Sequence, residues 1–241
     1  MFTTFFIQPI YNLFVFLLGI VPGGDVGLAI IAITLLMRFV LYPVFTSSIR
    51  TQMAMQAMQG ELEIISEKYK NNPQELAKQR MGLMKKHNVR PFAGFLALIV
   101  QFVLIIALYY ALFREGFPEI DTALLYSFVS SPPMVDTNFF GINLLTPHHI
   151  ILALVVGLTQ YLAIRLTIMR TSNNNQPISP ERAAALKMQN NMMLYFMPVF
   201  IGIISYTFPA AVGVYFTVSN IVSLGQEWVI RKQVQAGKEV L

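Results

Sequence analysis

From Gly27 to Phe45 the chain runs 19 residues, GLAIIAITLLMRFVLYPVF, with one charge among them, Arg38. As a helix this run covers ~28 Å at ~1.5 Å per residue, enough to cross the hydrocarbon of a bilayer. Four further apolar runs reach span length, at 92–113, 150–169, 191–208 and 210–230. The last two meet at Pro209, a residue suited to the first turn of a new helix. Of the 241 residues 55% are hydrophobic and 12% charged, where soluble domains carry about 25% charge. One soluble core cannot absorb that surface. The expected fold is all-α: a polytopic membrane protein of five transmembrane helices, with an N-terminal interfacial helix and a cytoplasmic helical hairpin.

Residues 5–21 (FFIQPIYNLFVFLLGIV) are ambiguous. Gln8 and Asn12 share a helix face, so the segment either lies in the interface as an amphipathic helix or crosses as a sixth span. No Lys or Arg precedes it, so it lacks the basic region of a signal peptide. Residues 1–24 are read as an interfacial helix and turn, because the charge map below places the start of the first span outside. Pro22-Gly23-Gly24-Asp25 reads as a tight turn capping the next helix rather than a phosphate loop.

Lys and Arg fall unevenly between the spans. The connector 46–91 holds Arg50, Lys68, Lys70, Lys78, Arg80, Lys85, Lys86 and Arg90. Connector 114–149 sets Arg114 against Glu115, Glu119, Asp121 and Asp136; connector 170–190 holds Arg170, Arg182 and Lys187, and the tail 231–241 adds Arg231, Lys232 and Lys238. The positive-inside rule puts the first, third and last of these in the cytoplasm. Spans at 25–45, 92–113, 150–169, 191–208 and 209–230 then run from an outside N-terminus to a cytoplasmic C-terminus. The net charge of +5 is accounted for by topology, and no sequence-specific nucleic-acid binding is expected.

Connector 46–91 reads as a helical hairpin. Met58, Leu62, Ile65 and Tyr69 recur at helical spacing, Asn71-Asn72-Pro73 supplies a turn and helix start, and Leu76, Ala77, Met81 and Met84 form a second stripe. Two readings stay open. The hairpin is a docking platform, with Met53, Met55 and Met58 as an adaptable apolar surface, or it packs on itself and its methionines fill space. On the first reading Lys68, Lys85 and Lys86 join Met53 and Met58 in recruiting a partner.

The chain has no cysteine, which removes disulfides, thiolate metal sites and thiol catalysis together. His87, His148 and His149 fall in connectors or at a span end without an acidic partner at ligand spacing. GxSxG and HExxH are both missing, and the acidic residues avoid the spans except Glu227 near the end of the last. No metal, cofactor or catalytic residue is expected, and the chain does not read as an enzyme.

The deep ionisable group is Arg38. An arginine at the centre of a span costs roughly 2.5–3.5 kcal/mol on insertion scales and usually faces protein or a wet cavity. About seven residues, ~10 Å, separate it from the cytoplasmic end of the run, so a snorkelling side chain is the competing reading. Thr34 lies one turn earlier on the same face. Gln101, Gln160, Thr217, Ser219 and Asn220 are polar residues in apolar spans; each either lines the same cavity or makes an interhelical hydrogen bond.

Taken in order, ITLLMRFVLYP, the connector from Gln52 through KYKNNPQEL to KKHNVRP, VQFVLIIALYYALF, NNMMLYFMPVF and FPAAVGVYFTVSNIVSLGQEWVIRK resemble the YidC/Oxa family of membrane protein insertases over nearly the whole chain. The resemblance implies a bacterial plasma (inner) membrane protein rather than an organellar one. It also implies a groove within one leaflet, open to cytoplasm and lipid, with Arg38 at its floor and Tyr215 and Phe216 against the substrate. Expected partners are newly made membrane proteins and membrane lipids, with the ribosome and a Sec-type translocon as further candidates. The chain departs from the family at Phe102-Val103, where a proline often follows the glutamine equivalent to Gln101, and that span is expected to be straighter. A large extracytoplasmic domain and a long basic tail are not expected. The rival reading is a small anion transporter or channel using Arg38 as counter-charge. It leaves the charged hairpin unexplained and lacks the repeats of many transporters.

Overall fold

A computed structural model describes residues 3–87, 89–90, 92–110, 119–171 and 180–236. In chain order its helices are α1 (Gln8–Ile20), α2 (Val26–Val40), α3 (Tyr42–Ala57), α4 (Gln59–Lys68), α5 (Pro73–Lys86), α6 (Ala93–Tyr109), α7 (Ile150–Thr171), α8 (Pro180–Asn191), α9 (Met197–Thr207) and α10 (Ala210–Gln235). The fold is mostly helical. It departs from all-α by a short antiparallel ladder, β1 (Asn138–Phe139) on β2 (Ile142–Asn143). The turn-rich stretch 172–179, the expected end of the second span at 111–113, and Arg114, Glu115 and Lys238 of the charge map lie outside the described residues.

Prolines set several helix boundaries. The run expected as one span from 25 to 45 is interrupted at Leu41, whose backbone (φ −90°, ψ 10°) leaves the helix. Pro43 in the next turn explains this, since its ring disfavours helical geometry before it and it has no N–H to donate. Pro9 in α1 and Pro198 in α9 are instead preceded by π-helical turns, Thr3–Ile7 and Met192–Phe196, which absorb the lost bond by widening. Among the described residues α7 is the one unbroken helix long and apolar enough to cross a membrane, over Ile150–Met169. The count of five spans therefore rests on the sequence pattern.

The chain forms two compact units. The first comprises Met1–Val40, Leu98–Gln160 and Pro198–Val222. In it α1 packs on α2 around buried Phe14, Leu18, Val26 and Ile30. The polar face of α1 turns inward. Asn12, 2% exposed, donates from Nδ2 to Leu124 O (2.9 Å) and accepts from the Tyr126 N–H (2.6 Å), while Gln8 Nε2 donates to Leu124 O (3.1 Å). Tyr11 accepts from the Asp121 N–H, and Tyr11, Val15 and Val129 close a small core beneath this loop. Phe16 and Ile20 are the large apolar residues that α1 exposes, with Phe5 exposed in the turn before it. Its outward face is apolar, so the expected amphipathic pattern is real but points its polar side into the protein.

Asp25 caps α2 by accepting from the Leu28 N–H (2.9 Å). The turn before it docks on the long connector through Val26 N–H to Asp136 O and Asp136 N–H to Gly24 O, both 2.9 Å. Gly24 has φ +62° and lies against the Met134 carbonyl, and Gly27 lies against the Phe139 ring, so a Cβ at either would collide. His149 Nδ1 accepts from the Leu152 N–H (3.4 Å) at the start of α7, a structural role consistent with a helix start.

The second unit comprises Leu41–Ala97, Tyr161–Met197 and Ser223–Leu241. Its hairpin pairs α4 with α5. Asn72 caps α5 by accepting from the Glu75 N–H, with Pro73 at the first position. The shared core is Ala54, Met58, Leu62, Leu83 and Val89, with Met55, Ile65 and Met84 packed on it. The second stripe differs from the sequence reading: Leu83 points inward and Met81 is 62% exposed. In that rotation Arg80 donates to Ser66 Oγ across the pair (2.9 Å). Elsewhere in this unit Glu227 accepts from Thr167 Oγ1 (2.6 Å) and from Arg231 Nε (2.7 Å), a largely buried charge that is paired and hydrogen-bonded.

Candidate functional site

One face of α2 carries Ile33, Thr34, Met37 and Arg38, the spacing of adjacent helical turns. Together with Leu104 and Leu108 of α6 and Tyr215 and Ser219 of α10, this face lines a cavity in the first unit of about 20 Å³. That is room for roughly one water. Among the described lining residues Arg38 carries the only formal charge. Its Nη2 donates to the Ser219 carbonyl (3.3 Å), an oxygen whose helical partner is four residues further on. Arg38 therefore lies beside α10, half-buried.

Thr34 is 2% exposed and its hydroxyl donates to Ile30 O (2.6 Å). Gln101 enters the site at second hand, donating from Nε2 to Tyr215 Oη (2.8 Å). This bond fixes the phenol on the cavity wall, so one wall is held by α6 and α10 together. The other expected residues fall elsewhere in the same unit. Phe216 is buried beside Tyr215 with ring centroids 5.7 Å apart and is not among the lining residues. Asn220 donates from Nδ2 to Thr159 Oγ1 (3.2 Å), the interhelical bond weighed for it above. Gln160, half-buried, is not among the lining residues. Ile33 and Met37 were detectable from their spacing around Thr34, as were Leu104 and Leu108 from theirs around Gln101. Ile10, a further wall residue, left no such signal.

The hairpin residues separate in the same way. Met58 is fully buried and belongs to the hairpin core rather than to an exposed methionine surface, while Met53 is half-buried. Lys68 lies 5.4 Å from the centroid of Tyr69. Lys86 is 3.9 Å from Glu61 and ties the arms together loosely, and Lys85 is exposed. Surface pairs of this kind contribute about 0–1 kcal/mol.

The sequence of this chain matches, over residues 17–238, the model of a family described as 60Kd inner membrane protein. It is 33% identical to the membrane protein insertase YidC of Oceanobacillus iheyensis, across 98% of this chain and 85% of the relative. It is 29% identical to the membrane protein insertase YidC 2 of Bacillus anthracis (97% and 83% covered) and 29% identical to the membrane protein insertase MisCA of Bacillus subtilis (87% and 71%). The extent of these matches and the helical, apolar architecture lead to one conclusion: the chain belongs to the 60Kd inner membrane protein family and is an integral membrane protein.

Proposed function

We propose that this protein inserts other proteins into the membrane, moving short extracytoplasmic segments across and releasing apolar helices sideways into lipid. The observation that carries the reading is the placement of Arg38, a cation held beside α10 in a cavity whose other described lining residues are uncharged. The family membership supports it. In the mechanism Arg38 gives an incoming acidic segment a transient counter-charge, which lowers the penalty for desolvating its carboxylates. The cavity as described holds about one water, so the working groove is a widened form of it, floored by Thr34, Arg38 and Tyr215. A membrane potential positive outside favours outward movement of each carboxylate by roughly 2.3 kcal/mol per 100 mV. Burial of the apolar segment in lipid supplies the rest. The N-terminus is outside, the C-terminus is cytoplasmic, and the hairpin receives the substrate.

The test is reconstitution into vesicles with no other translocation protein and an imposed potential. Protease-protected insertion of a short single-span protein is the expected result. Flux of a small anion with no insertion would replace this reading by the transporter one.

A further inference from the structure

The β1–β2 ladder turns on two residues, since Phe139 pairs with Ile142. Both turn residues have positive φ, Phe140 at 49° and Gly141 at 80°, as a type I′ turn requires. Asparagine, aspartate or glycine usually fills the first of these positions, because a bulky side chain is strained in the left-handed region. Phe140 is also 90% exposed. In water that ring would gain no burial to offset its strain. Strain of this kind persists where the surroundings compensate it, and it points to function. The ring is also braced. It stands edge-on to Phe139 with centroids 4.6 Å apart, and Phe139 in turn lies against Gly27 at the start of α2.

The neighbours say what covers it. Asp136, before β1, is bonded to Val26 at the start of α2. After β2, Leu144 O accepts from the Ala211 N–H and Thr146 O from the Ala210 N–H, both 2.9 Å, at the start of α10. The His148 N–H donates to Tyr206 O (2.8 Å) near the end of α9. Two residues later begins α7, apolar and long enough to cross a membrane, with Ile150, Ile151 and Leu154 exposed in its first turns. Phe140 thus projects from the place where four apolar helices begin or end. In an integral membrane protein that place is the membrane–water boundary, where aromatic side chains anchor. No Lys or Arg occurs from 119 to 164, so the contact is one of apolar burial and not of charge. We propose that the Phe140 ring is buried among lipid acyl chains just beneath the headgroups, pinning the connector and the start of α2 to the bilayer. This goes beyond insertion itself and rests only on the chain being membrane-integral.

The chain has a single tryptophan, Trp228, so Phe140→Trp combined with Trp228→Phe gives a clean reporter. The full chain is reconstituted into phosphatidylcholine vesicles, with bromine on the lipid chains as one quencher and iodide on both sides of the bilayer as the other. Blue-shifted emission that the brominated lipid quenches and iodide does not is expected. Quenching by iodide alone would put the ring in water, and protection from both quenchers would put it against protein, this chain or a second copy. Either result rejects the lipid. A second measurement keeps the native ring as its reference. In the same vesicles the Asp136 and Leu144 amides, bonded to Gly24 O and Thr137 O, report local opening by hydrogen exchange. Phe140→Asn should speed their exchange about tenfold or more, the worth of one buried aromatic ring. Without lipid contact the sign reverses, because asparagine suits the turn better than phenylalanine. Slower or unchanged exchange in Phe140→Asn therefore overturns the proposal, even should the tryptophan variant misfold.

Discussion

Two cavities in this molecule contain arginine, and they differ in almost everything else. The Arg38 cavity is about 20 Å³ with mainly apolar walls, and its guanidinium already donates to the Ser219 carbonyl. The cavity around Arg50 and Arg90 is about 430 Å³, with Tyr42, Thr46, Ser47 and Thr51 among its lining residues. A cation in a tight apolar setting is expensive to keep and useful in proportion, because a passing carboxylate gains most where water is scarce.

The bluntest way to break this contrast is to remove one side of it. Deleting residues 53–86 should reduce insertion to background while the apolar spans still accumulate in the membrane, measured by insertion assay beside protein level. Normal insertion by that deletion would strip the hairpin of its role. Next in size is the charge itself. Arg38→Ala should slow insertion of a substrate with an acidic tail about 10- to 100-fold, the worth of one or two charge-assisted hydrogen bonds. Arg38→Lys should retain most of the rate. Equal rates for all three proteins on every substrate would leave the transit role empty.

A smaller effect probes the width of the first cavity. Thr34→Cys should react with a small anionic methanethiosulfonate added from the cytoplasmic side, about tenfold faster than Leu35→Cys or Leu36→Cys. Water and a neighbouring cation favour the thiolate, whereas Leu35 and Leu36 face outward from α2. The cavity as described is too narrow for the reagent, so reaction at Thr34 reports the widened form directly. Protection at all three positions would describe a dry bundle. The smallest expected change is Tyr215→Phe. It removes the acceptor for Gln101 and should slow insertion about fivefold, from a bond worth about 1 kcal/mol; an undiminished rate would make that wall incidental.

The sequence made local chemistry legible. Asp25 and Asn72 as caps, Pro209 before α10 and the Met58–Leu62–Ile65 stripe follow from residue type and spacing within one or two turns. The face of Thr34 and Arg38 was legible for the same reason. Pro43 was equally visible inside the apolar run, but length and hydropathy outweighed it, and the helix break at Leu41 was overlooked. What could not be read depends on partners far along the chain. Asn12 meets Leu124 and Tyr126 more than a hundred residues away, and nothing near Asn12 signals that its polar edge turns inward. The rotation of α5 turns Leu83 inward and sets Arg80 against Ser66 of the other arm, a contact that spacing along α5 alone does not show. Gln160 and Asn220 looked as well suited to the Arg38 cavity as Ser219 did, because polarity in a span does not say which neighbour it meets.

The close docking of α2 on the long connector has an electrical consequence. A device driven by a membrane potential must not short-circuit it. Gly24 lies against the Met134 carbonyl and Gly27 against the Phe139 ring, so neither position has room for a side chain, and the backbones of Val26, Gly24 and Asp136 are hydrogen-bonded to each other there. On the proposed topology, with that end outside and a groove wet from the cytoplasm, the missing side chains would act as insulation and keep the groove from becoming an ion leak.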